Sequence, residues 1–227
     1  MQKILTRFAR DTYFVILLIG IFMFVSGMAP APEPKEEEKV APVVEEEEEE
    51  VEAQTAPESE PIVIDISGEW WKFGNVAMKK VEDAISLKGK ATNWYVGGCG
   101  TYVGKDLTEY NTLSLDLYGT GGGALKIELY EDDNRNWEIE QNPKKGYAPI
   151  YDDKFVYEQK IDWKGWRHIS IPLNEFKDGN PKVGNDTWDP NQEEGSGGFL
   201  NLQLIAIAPK KTGVADLRVK DIRFEKL

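Results

Sequence analysis

The residues of this 227-residue chain that could do chemistry fall on alternating positions. In the stretch from Tyr110 to Tyr130, Leu113, Leu115 and Leu117 alternate with Ser114, Asp116 and Tyr118. After Gly119, Gly121, Gly122 and Gly123, Leu125, Ile127 and Leu129 alternate with Lys126, Glu128 and Tyr130. A period of two sends apolar side chains to one side of a strand and polar ones to the other. The stretch reads as two strands and a turn, with Asp116, Glu128 and Tyr130 sharing the side opposite the leucines. A one-residue slip would turn the leucines out to water, so the register is strongly specified. His168 and Gln203 fall on polar positions of later strands, and Tyr95, Tyr102 and Trp188 belong to neighbouring loops. Aromatic rings offer rigid area that can stack on a sugar ring, and carboxylates and amides bond its hydroxyls. The candidate carbohydrate-binding set is therefore Tyr95, Tyr102, Asp116, Glu128, Tyr130, His168, Trp188 and Gln203. Any one of these reads as core aromatic or solvated surface; together they read as a face.

Other chemistries find less support. Cys99 is the only cysteine and sits in Gly-Gly-Cys-Gly, and His168 is the only histidine, with no motif around it. A thiol nucleophile needs a basic partner, so Cys99 reads as a packed, inert side chain. Acidic residues abound, but no pair stands out as the two carboxylates of a glycosidase. The glycines at 119–123 lack the Lys-Ser/Thr of a phosphate loop. Asp132-x-Asn134-x-Asn136 begins like a calcium-binding loop, but Trp137 replaces the required glycine and Pro143 the bidentate Glu. The chain is expected not to be an enzyme.

Composition divides the chain into three. Residues 1–30 are apolar after a basic start: Lys3, Arg7 and Arg10 precede the run Tyr13–Met28. Such a run fits a cleaved signal peptide or an uncleaved membrane anchor. Pro30, following Gly27-Met28-Ala29, disfavours cleavage, and basic residues before the run favour an N-in orientation. No cysteine lies there, so a lipoprotein is excluded. Residues 31–61 are rich in Glu and Pro and include six consecutive glutamates, Glu45–Glu50. Such a segment cannot bury enough apolar surface to fold, and it reads as a disordered acidic linker that holds a domain off the membrane. Residues 62–227 carry all seven tryptophans and the strand patterns, enough material for one domain with a real core. The net charge of −13 comes mostly from the linker, and no basic patch suits nucleic acid. An exported chain without a possible disulfide fits a bacterial envelope, anchored to the cytoplasmic membrane or secreted if cleaved.

About ten short strands follow Pro61, with alternation at Ile62–Ile66, Ile85–Leu87, Trp137–Ile139, Phe155–Ile161 and Leu200–Ala208, among others. Val76–Ala84 is the one weak helix candidate. This pattern predicts an all-β fold, an antiparallel two-sheet β-sandwich or jelly roll. In the last strand Leu217 and Val219 point one way and Ile222 and Phe224 take over that face, which requires a bulge near Lys220-Asp221. Trp137, Trp163 and Trp166 are expected in the core. The loop from Lys177 to Gly198 is long enough to be functional.

Four stretches together carry a resemblance: Gly104-Lys-Asp-Leu-Thr-Glu-Tyr110, Leu113-Ser-Leu-Asp-Leu-Tyr118, Trp166-Arg-His-Ile-Ser-Ile-Pro-Leu173-Asn-Glu-Phe176 and Val219-Lys-Asp-Ile-Arg-Phe224. Over 62–227 the sequence resembles galactose-binding-like jelly rolls, closest to family-eleven carbohydrate-binding modules and complex I intermediate-associated domains. The resemblance implies a sugar-binding face on one sheet and often a structural calcium, which by resemblance would fall to Asp65 and Asp221. The stretch Asp65-Ile-Ser-Gly-Glu69 departs from the family's opening Asp-Phe-Glu element. The expectation is a non-catalytic module displayed outside the membrane that binds a β-glucan-like polysaccharide. The competing reading is an envelope scaffold, a tethered domain that binds a protein partner.

Overall fold

The computed structural model describes residues 59–227; the apolar segment 1–30 and residues 31–58 of the acidic segment lie outside them. The strands, in chain order, are β1 (Ile62–Val63), β2 (Trp71–Gly74), β3 (Ala77–Val81), β4 (Ala84–Lys90), β5 (Tyr95–Lys105), β6 (Thr112–Thr120) and β7 (Ala124–Glu131). They continue with β8 (Gln141–Asn142), β9 (Ala148–Pro149), β10 (Lys154–Lys160), β11 (Lys164–Pro172), β12 (Lys177–Asp178), β13 (Phe199–Ile207) and β14 (Val214–Glu225). Among the described residues there is no α-helix, only short 3₁₀ turns. The segment Val76–Ala84, the helix candidate, instead makes β3 and the start of β4, which pair as a hairpin.

Two antiparallel sheets form a sandwich. The first runs β11-β6-β14-β4-β3, with β1 also on β14; the second runs β12-β10-β7-β13-β5-β2. Their inner faces enclose one core. Leu113, Leu115 and Leu117 of β6 meet Leu125, Ile127 and Leu129 of β7, with Leu202 and Leu204 of β13 and Leu217, Val219, Ile222 and Phe224 of β14. All-β architecture and inward alternation are as the sequence predicts.

The pairing of β6 and β7 is not. They do not form a hairpin: β6 pairs with β11 and β14, and β7 with β10 and β13. The glycine-rich link crosses from one sheet to the other, with Gly121 and Gly123 at φ +91° and +89°, where a side chain would be strained. Two strands whose apolar sides face each other across a core satisfy the same period of two as two strands side by side. The polar sides of β6 and β7 therefore point away from each other, on opposite surfaces of the domain.

The predicted bulge is present. The β14–β6 register shifts between Lys220 and Arg223, and Asp221 takes φ +49°. The extra residue brings Ile222 and Phe224 onto the face that Leu217 and Val219 began. Trp137 departs from expectation: residues 132–140 form a loop, its φ is +64°, and its ring is exposed, as is that of Trp166. Trp163 is buried, and so is Cys99, whose thiol burial pushes up to about 12.

Candidate functional site

The outer face of the second sheet is assembled by register. One row crosses the strands from Trp71 to Gly100, Gln203, Glu128, Val156 and Lys177. The next row runs Tyr102, Asn201, Tyr130, Lys154, and on the other side lie Phe73, Gly98, Ile205, Lys126 and Glu158. With strands about 4.8 Å apart, five spacings make a face roughly 24 Å wide.

The aromatic end is built on glycines. Trp71 and Phe73 on the edge strand β2 lean over Gly100 and Gly98 of β5, where no side chains intervene. A Cβ on Gly100 would stand 2.5 Å from the Trp71 indole, and one on Gly98 would stand 2.9 Å from the Phe73 ring. Tyr95 and Tyr102, both exposed, lie within β5 itself and not in the loops where they were expected. Trp71 and Tyr102 line a single open cleft of about 410 Å³.

The polar end is a charged network centred on Glu128. Its carboxylate takes Lys126 Nζ at 2.6 Å and Lys154 Nζ at 3.6 Å on Oε1, and the Tyr130 hydroxyl donates to Oε2 at 2.6 Å. Burial works to raise the Glu128 pKa, but Lys154, Lys126 and the Tyr130 hydrogen bond outweigh it, so the carboxyl stays below its ordinary value. Burial and the Glu128 charge hold the Tyr95 phenol above its ordinary range. The face thus offers aromatic surface at one end and fixed donors and acceptors at the other.

Of the eight predicted residues, Tyr95, Tyr102, Glu128, Tyr130 and Gln203 come together here. Tyr130 is only 2% exposed, so it braces Glu128 and is not an open stacking platform. Asp116 and His168 sit opposite each other on β6 and β11, with His168 Nδ1 2.9 Å from Asp116 Oδ1. They lie on the outer surface of the first sheet, so Asp116 does not share a side with Glu128 and Tyr130. Trp188 is partly buried, its ring 5.2 Å from Phe155 and 6.2 Å from Phe199 edge-to-face, which leaves it packing the core's flank. Trp71, Phe73, Asn201 and Lys154 belong to the face and were not foreseen. The alternation in Trp71-Lys-Phe73-Gly74, beside a glycine run that could receive two rings, was the available signal.

Asp65 and Asp221, where a calcium was expected, do line one surface cleft. Asp65 Oδ1 already accepts both the backbone N–H and the hydroxyl of Ser67 at 2.7 Å. Lys80 fills the neighbouring carbonyls of Ser67 and Gly68, and Lys220 Nζ stands 4.0 Å from Asp221. One carboxylate already bonded to Ser67, with ammonium groups beside both, is a poor match to the six-to-eight-oxygen cage that calcium takes.

No protein-family model matches the chain, and no curated protein matches it. Solved structures do. A family 11 carbohydrate-binding module from Clostridium thermocellum, in complex with a β-1,3-1,4-mixed-linked tetrasaccharide, superposes with a TM-score of 0.52 at 14% identity, covering 73% of this chain and 95% of the module. The family 11 module of a cellulosomal cellulase of Clostridium thermocellum gives 0.51 at 15% identity, covering 74% and 95%. The described domain has the jelly-roll sandwich fold of these carbohydrate-binding modules.

Proposed function

We propose that this chain is a non-catalytic carbohydrate-binding module that takes a β-glucan-like polysaccharide along the outer face of its second sheet. A sugar chain lying across the strands would stack on Trp71 and Tyr102 and bond its hydroxyls to Gln203, Asn201 and the Lys126–Glu128–Lys154 network. The observation that carries the reading is the register that sets exposed Trp71, Tyr95 and Tyr102 on the same face as a hydrogen-bonded buried carboxylate. The fold shared with modules of that class supports it, though folds host more than one job. The apolar run Tyr13–Met28 and the acidic segment behind it support display outside the cytoplasmic membrane, with the module held away from the bilayer.

Affinity electrophoresis in gels with and without mixed-linkage β-glucan tests this. Tyr102 is 53% exposed, so Tyr102→Ala removes a ring without opening the core. The parent should be retarded, and Tyr102→Ala should lose most of the retardation while melting as the parent does. A parent that migrates identically in both gels would overturn the reading and favour the tethered protein-interaction domain.

A further inference from the structure

The outer face of the first sheet, on the far side of the sandwich from Glu128, has a residue pattern of its own. One row of that face runs Trp166, Tyr118, Arg218, Ser86 and Lys79 across β11, β6, β14, β4 and β3. With strands about 4.8 Å apart, four spacings make the row roughly 19 Å long. The row on one side sets Lys164 opposite Thr120 and Asp216 opposite Lys88. The row on the other sets Asp116 between His168 and Lys220.

Two cations of this face are held by rings. The Arg218 guanidinium stands 5.2 Å from the centre of the Tyr118 ring, and Lys220 Nζ stands 5.3 Å from that of Trp166. Tyr118 and Trp166 pack edge-to-face at 5.5 Å. A ring attracts a cation but leaves its charge uncancelled. The carboxylates within reach are already engaged one to one. Asp216 takes Lys88 at 2.6 Å, Asp116 takes His168 Nδ1 at 2.9 Å, and Asp83, in the turn between β3 and β4, takes Lys220 at 2.9 Å. Among the described residues, no carboxylate forms an ion pair with Arg218, Lys79 or Lys164. All three are exposed, and so is Trp166, at 44%. In a chain of net charge −13, this face carries surplus positive charge around an open indole.

We propose that this face binds an acidic polysaccharide, a chain that carries uronate carboxylates. The Arg218 guanidinium can take a carboxylate through two parallel N–H donors. Lys79 and Lys164 offer point charges to either side of it. The Trp166 ring offers flat area to a pyranose, and Ser86 sets a hydroxyl in the same row. Cations scattered at strand spacings suit a polymer with one charge per sugar, not the dense phosphates of nucleic acid. The inference does not rest on the glucan reading, because it uses no residue of the second sheet.

Titration calorimetry of the full chain in detergent tests it, with oligogalacturonate as the probe. The parent should bind at low salt and release the probe in about 0.5 M salt, where screening is strong. The methyl-esterified oligomer keeps the sugar and loses the charge; polyglutamate keeps the charge and loses the sugar. Both should bind about tenfold more weakly or not at all. Arg218→Gln should weaken binding about tenfold, the worth of one charge-assisted pair, and Lys79→Gln should weaken it by a smaller factor. Lys79, exposed on an edge strand and outside any ion pair, keeps the test decisive should Arg218→Gln melt early. Excess mixed-linkage β-glucan tetrasaccharide should not displace the probe. A parent that ignores oligogalacturonate overturns the proposal, as does equal binding of the methyl ester or of polyglutamate. So does unchanged binding by the folded variants, or displacement by the neutral tetrasaccharide.

Discussion

The indole of Trp71 rests on the backbone of Gly100: a Cβ at that glycine would come within 2.5 Å of the ring. The absence of a side chain on β5 is what lets an edge-strand tryptophan lie over the sheet. Gly100→Ala should therefore displace the indole and destabilise the fold by about 1–3 kcal/mol, the usual cost of forced overpacking. Denaturant unfolding gives the stability change, and a red-shifted tryptophan emission reports the displaced ring. An alanine variant that matches the parent in both would mean the ring is not held by this contact.

Tyr130 and Leu115 separate bracing from core packing. Tyr130→Phe keeps the ring but removes the hydroxyl that Glu128 accepts, and should cost about 1–3 kcal/mol, as for hydrogen bonds to charged groups. Leu115→Ala opens a cavity between the sheets and should cost ~2–5 kcal/mol. Chemical denaturation ranks the two. If Tyr130→Phe is as stable as the parent, the Tyr130–Glu128 bond contributes nothing.

Glu128 gives the domain an acid sensitivity. Its folded pKa lies below its ordinary value of 4.5. A carboxyl with a lowered folded pKa contributes stability above its unfolded pKa and loses it as pH falls through the folded value. The parent should therefore lose stability below about pH 4.5 more steeply than Glu128→Gln, whose disadvantage at pH 7 should shrink toward pH 3. Tm measured across that range decides it; parallel curves would remove Glu128 from the account.

Cys99 is fully buried opposite Leu204, and burial pushes its thiol up to about 12. Since the thiolate is the reactive form, a thiol reagent at pH 8 should leave the folded protein unmodified and label one equivalent after unfolding. Rapid labelling of the native protein would show that β5 opens readily.

Much of the fold was legible because the period of two is a local property. The alternation in Leu113–Leu117 and Leu125–Leu129 correctly marked two strands and their buried sides, and the parity change between Val219 and Ile222 marked the bulge. Those patterns depend only on neighbouring residues and on which side of a strand must be dry. Partnership between strands is not local. Whether the link after β6 turns back beside it or crosses the core leaves the alternation unchanged, and only packing places Asp116 on one outer surface and Glu128 on the other. The same holds for residues that only the fold brings together. Trp71, Gly100, Gln203 and Glu128 come from four strands, and their row exists only because the β2–β5–β13–β7 register aligns them. Glu131, Asp152 and Asp153 each look like a solvated acid in sequence, yet all three are buried. Only tertiary structure buries them together, because it is the closure of distant loops over the end of the sandwich that takes their oxygens out of water.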